Sequence, residues 1–260
     1  MEPVAIIILK QQDPTNMIET LKQKMPLVFS YDTPTKEEWN KVSSFSTENI
    51  IFTKFERTES GFFAGANRNN GLKIAMEKFP NATHYFFFDG DRVPDNLDIN
   101  YIEQLLLNYD ADCCLFTCEN GDNRAIRRTD IPHGIVDTGC MVSDFYSCGF
   151  IISRKACEKI LNINNGNLFH PNFNGIWGEE DKFLGIQLDN LGFKTIFSNK
   201  PRLGGKPLTN ADFVKNYEVS LQRRINLMMK YGYPLRPFDK YERLEIIGGK
   251  PISIYIADSL

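Results

Sequence analysis

Three short stretches of the 260-residue chain concentrate side chains that can do chemistry. The first is Asp89-Gly90-Asp91, which directly follows Phe86-Phe87-Phe88. A run of aromatics reads as the interior of a buried strand, so both carboxylates emerge at its carboxyl end. Two hard oxygen ligands there suit Mg²⁺ or Mn²⁺ and leave positions open for phosphate oxygens. Gly90 is expected to let the backbone turn so that both acids face the ion. Acid pairs also end strands as plain turn formers, so the pattern takes its meaning from its surroundings. The second stretch is Trp177-Gly178-Glu179-Glu180-Asp181, at the start of a helix. A carboxylate there can act as a general base, and Trp177 offers a flat face to a sugar ring. The helix dipole also favours acids at that place, by under about 1 kcal/mol each. The third is Ala64-Gly65-Ala66-Asn67-Arg68-Asn69-Asn70-Gly71. Its small residues let a helix start pack closely, and Arg68 is placed to pair with a diphosphate.

The elements that must position these groups alternate. Val4–Leu9, Leu27–Tyr31, Ile50–Phe55 and His84–Phe88 read as buried strands. Helices are expected over Pro14–Lys24, Lys36–Val42 and Ala64–Phe79, the last with Leu72, Ala75, Met76 and Phe79 on one face. That order predicts an α/β fold with a mostly parallel sheet and helices on both faces. Such sheets bind ligands beyond the carboxyl ends of their strands, which directs attention to the loops after Leu9, Tyr31, Phe55 and Phe88. Further along, helices are expected at Ile102–Leu107, Arg154–Leu161 (capped by Ser153) and Asp181–Leu191 (closed by Gly192). Strands are expected at Cys113–Phe116, Ser147–Ile152 and Phe193–Phe197. A last long helix is marked by Val214, Tyr217, Leu221, Ile225 and Met228. The stretch from Cys118 to Asp144 has little apolar period, a mark of a functional or irregular loop. The chain reads as one core over 1–200; the family resemblance given below implies a nucleotide-binding half (1–92) and an acceptor half (93–200). A C-terminal helical extension over 201–260 packs on that core.

Composition narrows the class. Hydrophobic residues make up 42% and charged residues 24%, the balance of a packed globular protein rather than a disordered or fibrous one. The longest aliphatic run, Val4–Leu9, is too short to span a bilayer and has no basic segment before it. A cytoplasmic protein with no transmembrane segment is expected. The net charge of −3 argues against a dedicated nucleic-acid binder. Charge is uneven: Asp89–Asp144 has 12 acids against 4 bases, and Lys200–Glu245 has 10 bases against 5 acids. The acidic segment suits a divalent cation and the basic one a phosphate; Arg202 and Lys206, beside Gly204-Gly205, are placed to reach a diphosphate. The six cysteines form no CxxC pair and read as reduced, mostly buried thiols; a zinc site on Cys114 and Cys118 lacks a second ligand pair. His84, His133 and His170 read as structural, His133 being the one that falls in the long loop.

In this order and spacing, the motifs resemble the GT-A-fold glycosyltransferases. The nearest pattern is that of the inverting family 2 and galactosyltransferase C-terminal-domain type enzymes. The resemblance covers roughly residues 4–198. It rests on Ala66–Leu72, on Asp89-Gly90-Asp91-Arg92-Val93-Pro94 and on Ser147-Cys148-Gly149-Phe150-Ile151-Ile152-Ser153-Arg154. It ends with Trp177–Asp181 and the helix up to Leu191-Gly192-Phe193. The resemblance implies a twisted Rossmann-like sheet, a UDP-sugar donor and a Mn²⁺ or Mg²⁺ ion bound by Asp89 and Asp91. It implies that Asp32 contacts the nucleobase, Arg68 faces the nucleotide and Gly149 lets backbone approach the donor sugar. It also implies that Asp181 is the base and Glu180 binds the acceptor. Two positions depart from the family pattern: Phe183 stands where a further acid is common, and no histidine follows His170. Water and phosphate would then complete the coordination.

Two other readings use the same features. A nucleotidyltransferase acting on sugar phosphates would want a glycine-rich loop after the first strand, where the chain has Lys10-Gln11-Gln12-Asp13-Pro14. A non-catalytic glycan-binding module would tolerate loss of the carboxylates, yet Asp89, Asp91 and Asp181 are all present. The acceptor classes left open are a glycan, a lipid-linked sugar, another hydroxyl compound and a modified nucleic acid. Arg223-Arg224 beside Leu227-Met228-Met229 suits either packing on the core or an anionic surface.

Overall fold

Buried β-branched and aromatic runs form the centre of a three-layer α/β fold in a computed structural model. The structure describes residues 1–57, 59–118, 136–137, 148–176, 178–204, 217–233, 240–247 and 250–257. The first half contains β1 (Pro3–Leu9), α1 (Thr15–Leu21), β2 (Leu27–Asp32), α2 (Lys36–Ser43), β3 (Ile50–Phe55), α3 (Ala64–Lys78) and β4 (His84–Asp89). Each expected strand and helix is present, displaced by a few residues at its ends. β5 (Val93–Pro94), α4 (Ile99–Tyr109), β6 (Cys113–Cys118), β7 (Val136–Asp137), β8 (Gly149–Ser153) and α5 (Arg154–Ile163) follow. After a short 3₁₀ turn at Pro171–Phe173 come α6 (Glu180–Asn190), β9 (Thr195–Gly204), α7 (Tyr217–Tyr231), β10 (Lys240–Ile247) and β11 (Lys250–Ala257). Among the described residues, no helix is long and apolar enough to cross a membrane.

The main sheet runs β3-β2-β1-β4-β8-β6-β9-β5, with β7 on β9. Its first four strands are all parallel. β8 enters antiparallel between β4 and β6. The reversal of strand order falls between β1 and β4, where doubly wound sheets open a crevice for ligands at their carboxyl ends. In register, Ile8 lies opposite both Ser30 and Asp89, so the ends of β1, β2 and β4 are level.

Alternate residues of each strand serve opposite faces. Ala5, Ile7, Leu9, Phe29, Phe86 and Phe88 pack with Met17, Leu21 and Ile102 from α1 and α4. Val4, Ile6, Val28, Tyr85, Phe87 and Phe150 pack with Leu72, Ala75, Ile160 and Leu184 from α3, α5 and α6. A sheet covered on both faces needs continuous apolar strands, which is why these read as runs rather than alternations. Local signals set the helix starts. Thr35 accepts from Glu38 N and the Glu38 carboxylate accepts from Thr35 N, a reciprocal capping box. Ser153 caps α5 by accepting from Ala156 N, as expected, and Gly192 follows α6 in the left-handed region, φ +77°.

Two expectations need correction. β9 continues past Phe197 to Gly204, passing through Pro201. The register against β6 shifts between Phe116 and Thr117, and a bulge is where a strand tolerates proline. The C-terminal part is not purely helical, for β10 and β11 pair as an antiparallel hairpin after α7. The alternating Ile252, Ile254 and Ile256 after Gly248-Gly249 carried that signal.

Candidate active site

The carboxyl ends of the parallel strands bring the chemistry-bearing groups together. Three non-glycine, non-Asx residues with positive φ occur here: Gln11 after β1 (66°), Thr33 after β2 (45°) and Glu179 before α6 (69°). Such backbone is uncommon for these residue types and persists only where the surrounding structure holds it.

Asp89 ends β4, and its N–H donates to Cys148 O at 3.1 Å. Gly90 N donates to Ile8 O at 2.9 Å, pulling the turn against β1. A Cβ on Gly90 would sit 2.8 Å from Ile8 O and 2.6 Å from Leu9 Cδ2. Close approach to β1, rather than a special backbone turn, is therefore what requires glycine at this position. The Asp91 carboxyl is pushed up by burial and then by the Asp89 charge, so the two acids repel one another.

Arg68 lies at the middle of the site. Its side chain is 4% exposed, and Nη2 donates to Asp89 Oδ1 at 2.6 Å. Nη1 stands 3.8 Å from Glu180 Oε1, and the guanidinium lies 5.3 Å from the centre of the Phe169 ring. It is thus turned to two carboxylates of the chain rather than opened to a diphosphate. Its Nε and Nη1, with Asn67 Oδ1 and Glu180 Oε2, are buried polar atoms without a hydrogen bond among the described residues. Small residues on α3 make this possible. A Cβ on Gly65 would lie 3.0 Å from Phe169 Cβ and 3.4 Å from Glu180 Cγ, so the start of α3 abuts α6. Gly71 packs on the sheet instead, with Ile6 Cγ2 where its Cβ would be, at 2.6 Å. Asn69 fastens the contact, donating to Phe169 O at 2.8 Å and accepting from Phe169 N at 2.9 Å.

Glu179, Glu180 and Asp181 open α6 and have three different environments. Glu179 is 1% exposed and pairs with Lys182 and with Arg224 of α7, each at 2.7 Å. Ser220 Oγ of α7 donates to Gly178 O at 2.6 Å, tying the same stretch again. Asp181 Oδ1 accepts from Lys182 N at 2.7 Å, and burial pushes its carboxyl up. Glu180 is pushed up by burial first, then by the Asp181 charge, with Arg68 pulling the other way. The folded protein therefore holds a proton that the unfolded chain gives up near the ordinary value of 4.5. Above that pH the native state binds more protons than the unfolded one, so stability falls as pH rises through this window. Glu180→Gln is expected to lessen that fall, Asp181 supplying the rest, and to be more stable than wild type near neutrality. Urea denaturation from mildly acidic to neutral pH reads it; parallel pH dependences in the two proteins would refute it.

Asp32 ends β2 and is held by Arg57, a residue the sequence reading passed over. Its place just after β3, in one of the four indicated loops, was the available signal. Gly149 stands at the start of β8, and Leu203 of β9 covers it: a Cβ would fall 2.0 Å from Leu203 Cδ1. Packing against Leu203 by itself requires a glycine at this position. Phe183 is fully buried beside His170, Phe173, Tyr231 and Tyr233, so the departure at this position serves an aromatic cluster. Burial holds His170 down to about 4, and its Nδ1 accepts from Asn172 N, a structural role. His84 is likewise pushed down by burial and stands 3.0 Å from Thr83 Oγ1. Trp177, Lys206 and His133 lie outside the described residues. Cys113, Cys114 and Cys157 are buried and outside any disulfide among the described residues, and burial pushes the thiols of Cys114 and Cys157 up. Among the described residues, no group of three or more His, Cys, Asp or Glu side chains is placed to hold a metal ion.

Neither a protein-family model nor a curated protein matches the chain. Solved structures do match. TarS 1–349 of S. aureus, a GT-A-type glycosyltransferase, superposes with TM-score 0.55 at 14% identity, over 79% of this chain and 60% of its own. The same protein in complex with UDP-GlcNAc gives 0.59 at 11% identity, over 88% and 67%. With UDP it gives 0.55 at 15% identity, over 80% and 61%. The chain thus spans about three-fifths of the first of these structures. At such identity the likeness is one of fold, and the fold is GT-A.

Proposed function

We propose that the protein is a glycosyltransferase that moves a sugar from a UDP-sugar to an acceptor hydroxyl, with inversion. The observation that carries this reading is the buried Arg68 between Asp89 and Glu180. It joins the two acidic motifs, distant in the chain, into one cluster at the switch point of the sheet. TarS, of like fold, binds UDP-GlcNAc and UDP. In the proposed mechanism Asp32 receives the nucleobase and Arg68 orients Asp89 toward the diphosphate. Asp89 and Asp91 would hold Mn²⁺ or Mg²⁺; two mutually repelling carboxylates at a strand end fit a divalent cation completed by phosphate and water. When bound, such an ion stabilises negative charge on the departing diphosphate. Asp181 accepts the acceptor hydroxyl's proton as that oxygen attacks the anomeric carbon from the face opposite the leaving group. Glu180 lies on the acceptor side of the same turn. The two-residue spacing of Asp89 and Asp91, with Glu180-Asp181 across Arg68, gives a non-catalytic module no physical advantage.

A thermal-shift screen of UDP-sugars, UDP-GlcNAc first, with and without Mn²⁺, tests the proposal. A ligand at about 100 times its Kd adds roughly 2.7 kcal/mol of stability. Wild type is expected to shift with one UDP-sugar, and Asp91→Asn to lose the Mn²⁺-dependent part. A folded wild type that shifts with no nucleotide sugar would end the reading.

A further inference from the structure

We propose that Arg68 competes with a divalent cation for Asp89 and yields to it by passing to Glu180, so that it couples cation binding at the end of β4 to the first turn of α6. This rests on the reading of Asp89 and Asp91 as the cation ligands of a UDP-sugar site.

The three side chains differ in their access to solvent. That of Arg68 is 4% exposed and that of Glu180 7%, while that of Asp89 is 28% exposed. An ion arriving from solvent therefore reaches the Asp89 end of the row and not the Glu180 end. Arg68 also serves the two ends unequally. Nη2 donates to Asp89 Oδ1 at 2.6 Å, a full charge-assisted hydrogen bond. Nη1 stands 3.8 Å from Glu180 Oε1, an ion pair too long for a hydrogen bond. Arg68 Nη1 and Glu180 Oε2 are both buried and make no hydrogen bond among the described residues. A buried donor and a buried acceptor left unmade cost free energy. A movement of about 1 Å toward Glu180 would bring the guanidinium within hydrogen-bond range.

The surroundings confine the guanidinium to that movement. It lies 5.3 Å from the centre of the Phe169 ring, and Asn69 holds Phe169 through its backbone N–H and carbonyl. Gly65 lets the start of α3 close on Phe169 and on Glu180 Cγ, which keeps Arg68 within reach of α6. A dication on Asp89 repels the guanidinium. Among the described residues, Glu180 is the other carboxylate within ion-pair distance of it. The coupling is reciprocal: whatever holds Arg68 at Glu180 favours a cation on Asp89, and a cation on Asp89 favours Arg68 at Glu180.

Mn²⁺ titrations in the presence of UDP, with free Mn²⁺ read by electron paramagnetic resonance, test this on wild type, Glu180→Gln, Arg68→Gln and the double variant. Arg68→Gln removes the competitor and is expected to tighten Mn²⁺ about tenfold. Glu180→Gln removes the second position and should weaken Mn²⁺ by about fivefold or more, the lower end of coupling between sites. In the Arg68→Gln background the same Glu180 change should alter the affinity by less than about twofold, because the carrier of the coupling is gone. A Glu180 charge acting only through space would weaken Mn²⁺ equally in both backgrounds, and that result overturns the proposal. A folded Arg68→Gln protein that binds Mn²⁺ no more tightly than wild type overturns it too. Arg68→Met, equally uncharged, takes the place of Arg68→Gln if circular dichroism shows the latter unfolded. Wild type that binds UDP by calorimetry but takes up no Mn²⁺ overturns this inference and the cation ligands, with the nucleotide site left standing. Binding neither overturns the donor site as well.

Discussion

Asp181→Asn is expected to lower the rate of sugar transfer by about 10²- to 10⁴-fold, the usual worth of a positioned general base. UDP-sugar affinity should stay near that of wild type, because Asp181 stands in the first turn of α6 and Asp32, Asp89 and Asp91 at the strand ends. The carboxyl of Asp181 is pushed up by burial, against the pull of Lys182 and Arg68. A base works best when its pKa approaches the operating pH, so this shift moves Asp181 in the useful direction. Asparagine keeps the side-chain shape and can still accept from Lys182 N, so a fall in rate reports the lost proton acceptor. Single-turnover transfer, with donor binding measured separately, distinguishes the two effects. A variant that transfers at the wild-type rate would remove Asp181 from the mechanism and turn attention to Glu180.

The second large effect is on stability. Arg224→Leu is expected to destabilise the protein by about 3 kcal/mol, the lower end for breaking a buried pair from one side. Glu179 is 1% exposed and would keep only Lys182, whose side chain is 17% exposed. The consequence is local as well as global. Glu179 sits at φ +69° without a side-chain cap on the helix, so the turn that aims Glu180 and Asp181 is held from outside. The holders are on α7: Arg224 on the carboxylate, Ser220 on the Gly178 carbonyl and Arg223 on Asn172 O at 2.6 Å. Leu227 and Met228 add apolar contact with Phe173, Phe183 and Ile186. Equilibrium urea denaturation reads the loss. Glu179→Gln combined with Arg224→Leu should destabilise less than the two changes summed, since the Glu179–Arg224 pair is then removed from both sides and only the part-exposed Lys182 loses a partner. A loss below about 1 kcal/mol for Arg224→Leu would mean that the pair behaves like an exposed one.

The helices and strands were legible because their cause is local. Val4–Leu9 is apolar at consecutive positions and Leu72, Ala75, Met76 and Phe79 recur at helical spacing. Burial in β1 and on α3 follows those patterns. The acids at Asp89–Asp91 and Glu179–Asp181 were legible for a related reason, standing where an apolar strand or helix must end. Their partners were not. Periodicity says which face a residue occupies, but it carries no information about which distant element will cover that face.

Arg68 illustrates the difference. Its place on α3 could be read from the residues around it, yet its burial between Asp89 and Glu180 depends on Gly65 letting α3 reach α6. Gly149 is similar: the residue type showed that something comes close, and the packing identifies Leu203. The pairings of Arg57 with Asp32 and of Arg224 with Glu179 belong to the same class. Composition and spacing established an α/β sheet, two acidic motifs at element ends and the kind of chemistry they suit. Which charges neutralise each other came from long-range packing. Burial raises the free energy of every unpaired charge, and only the assembled fold brings a partner to each.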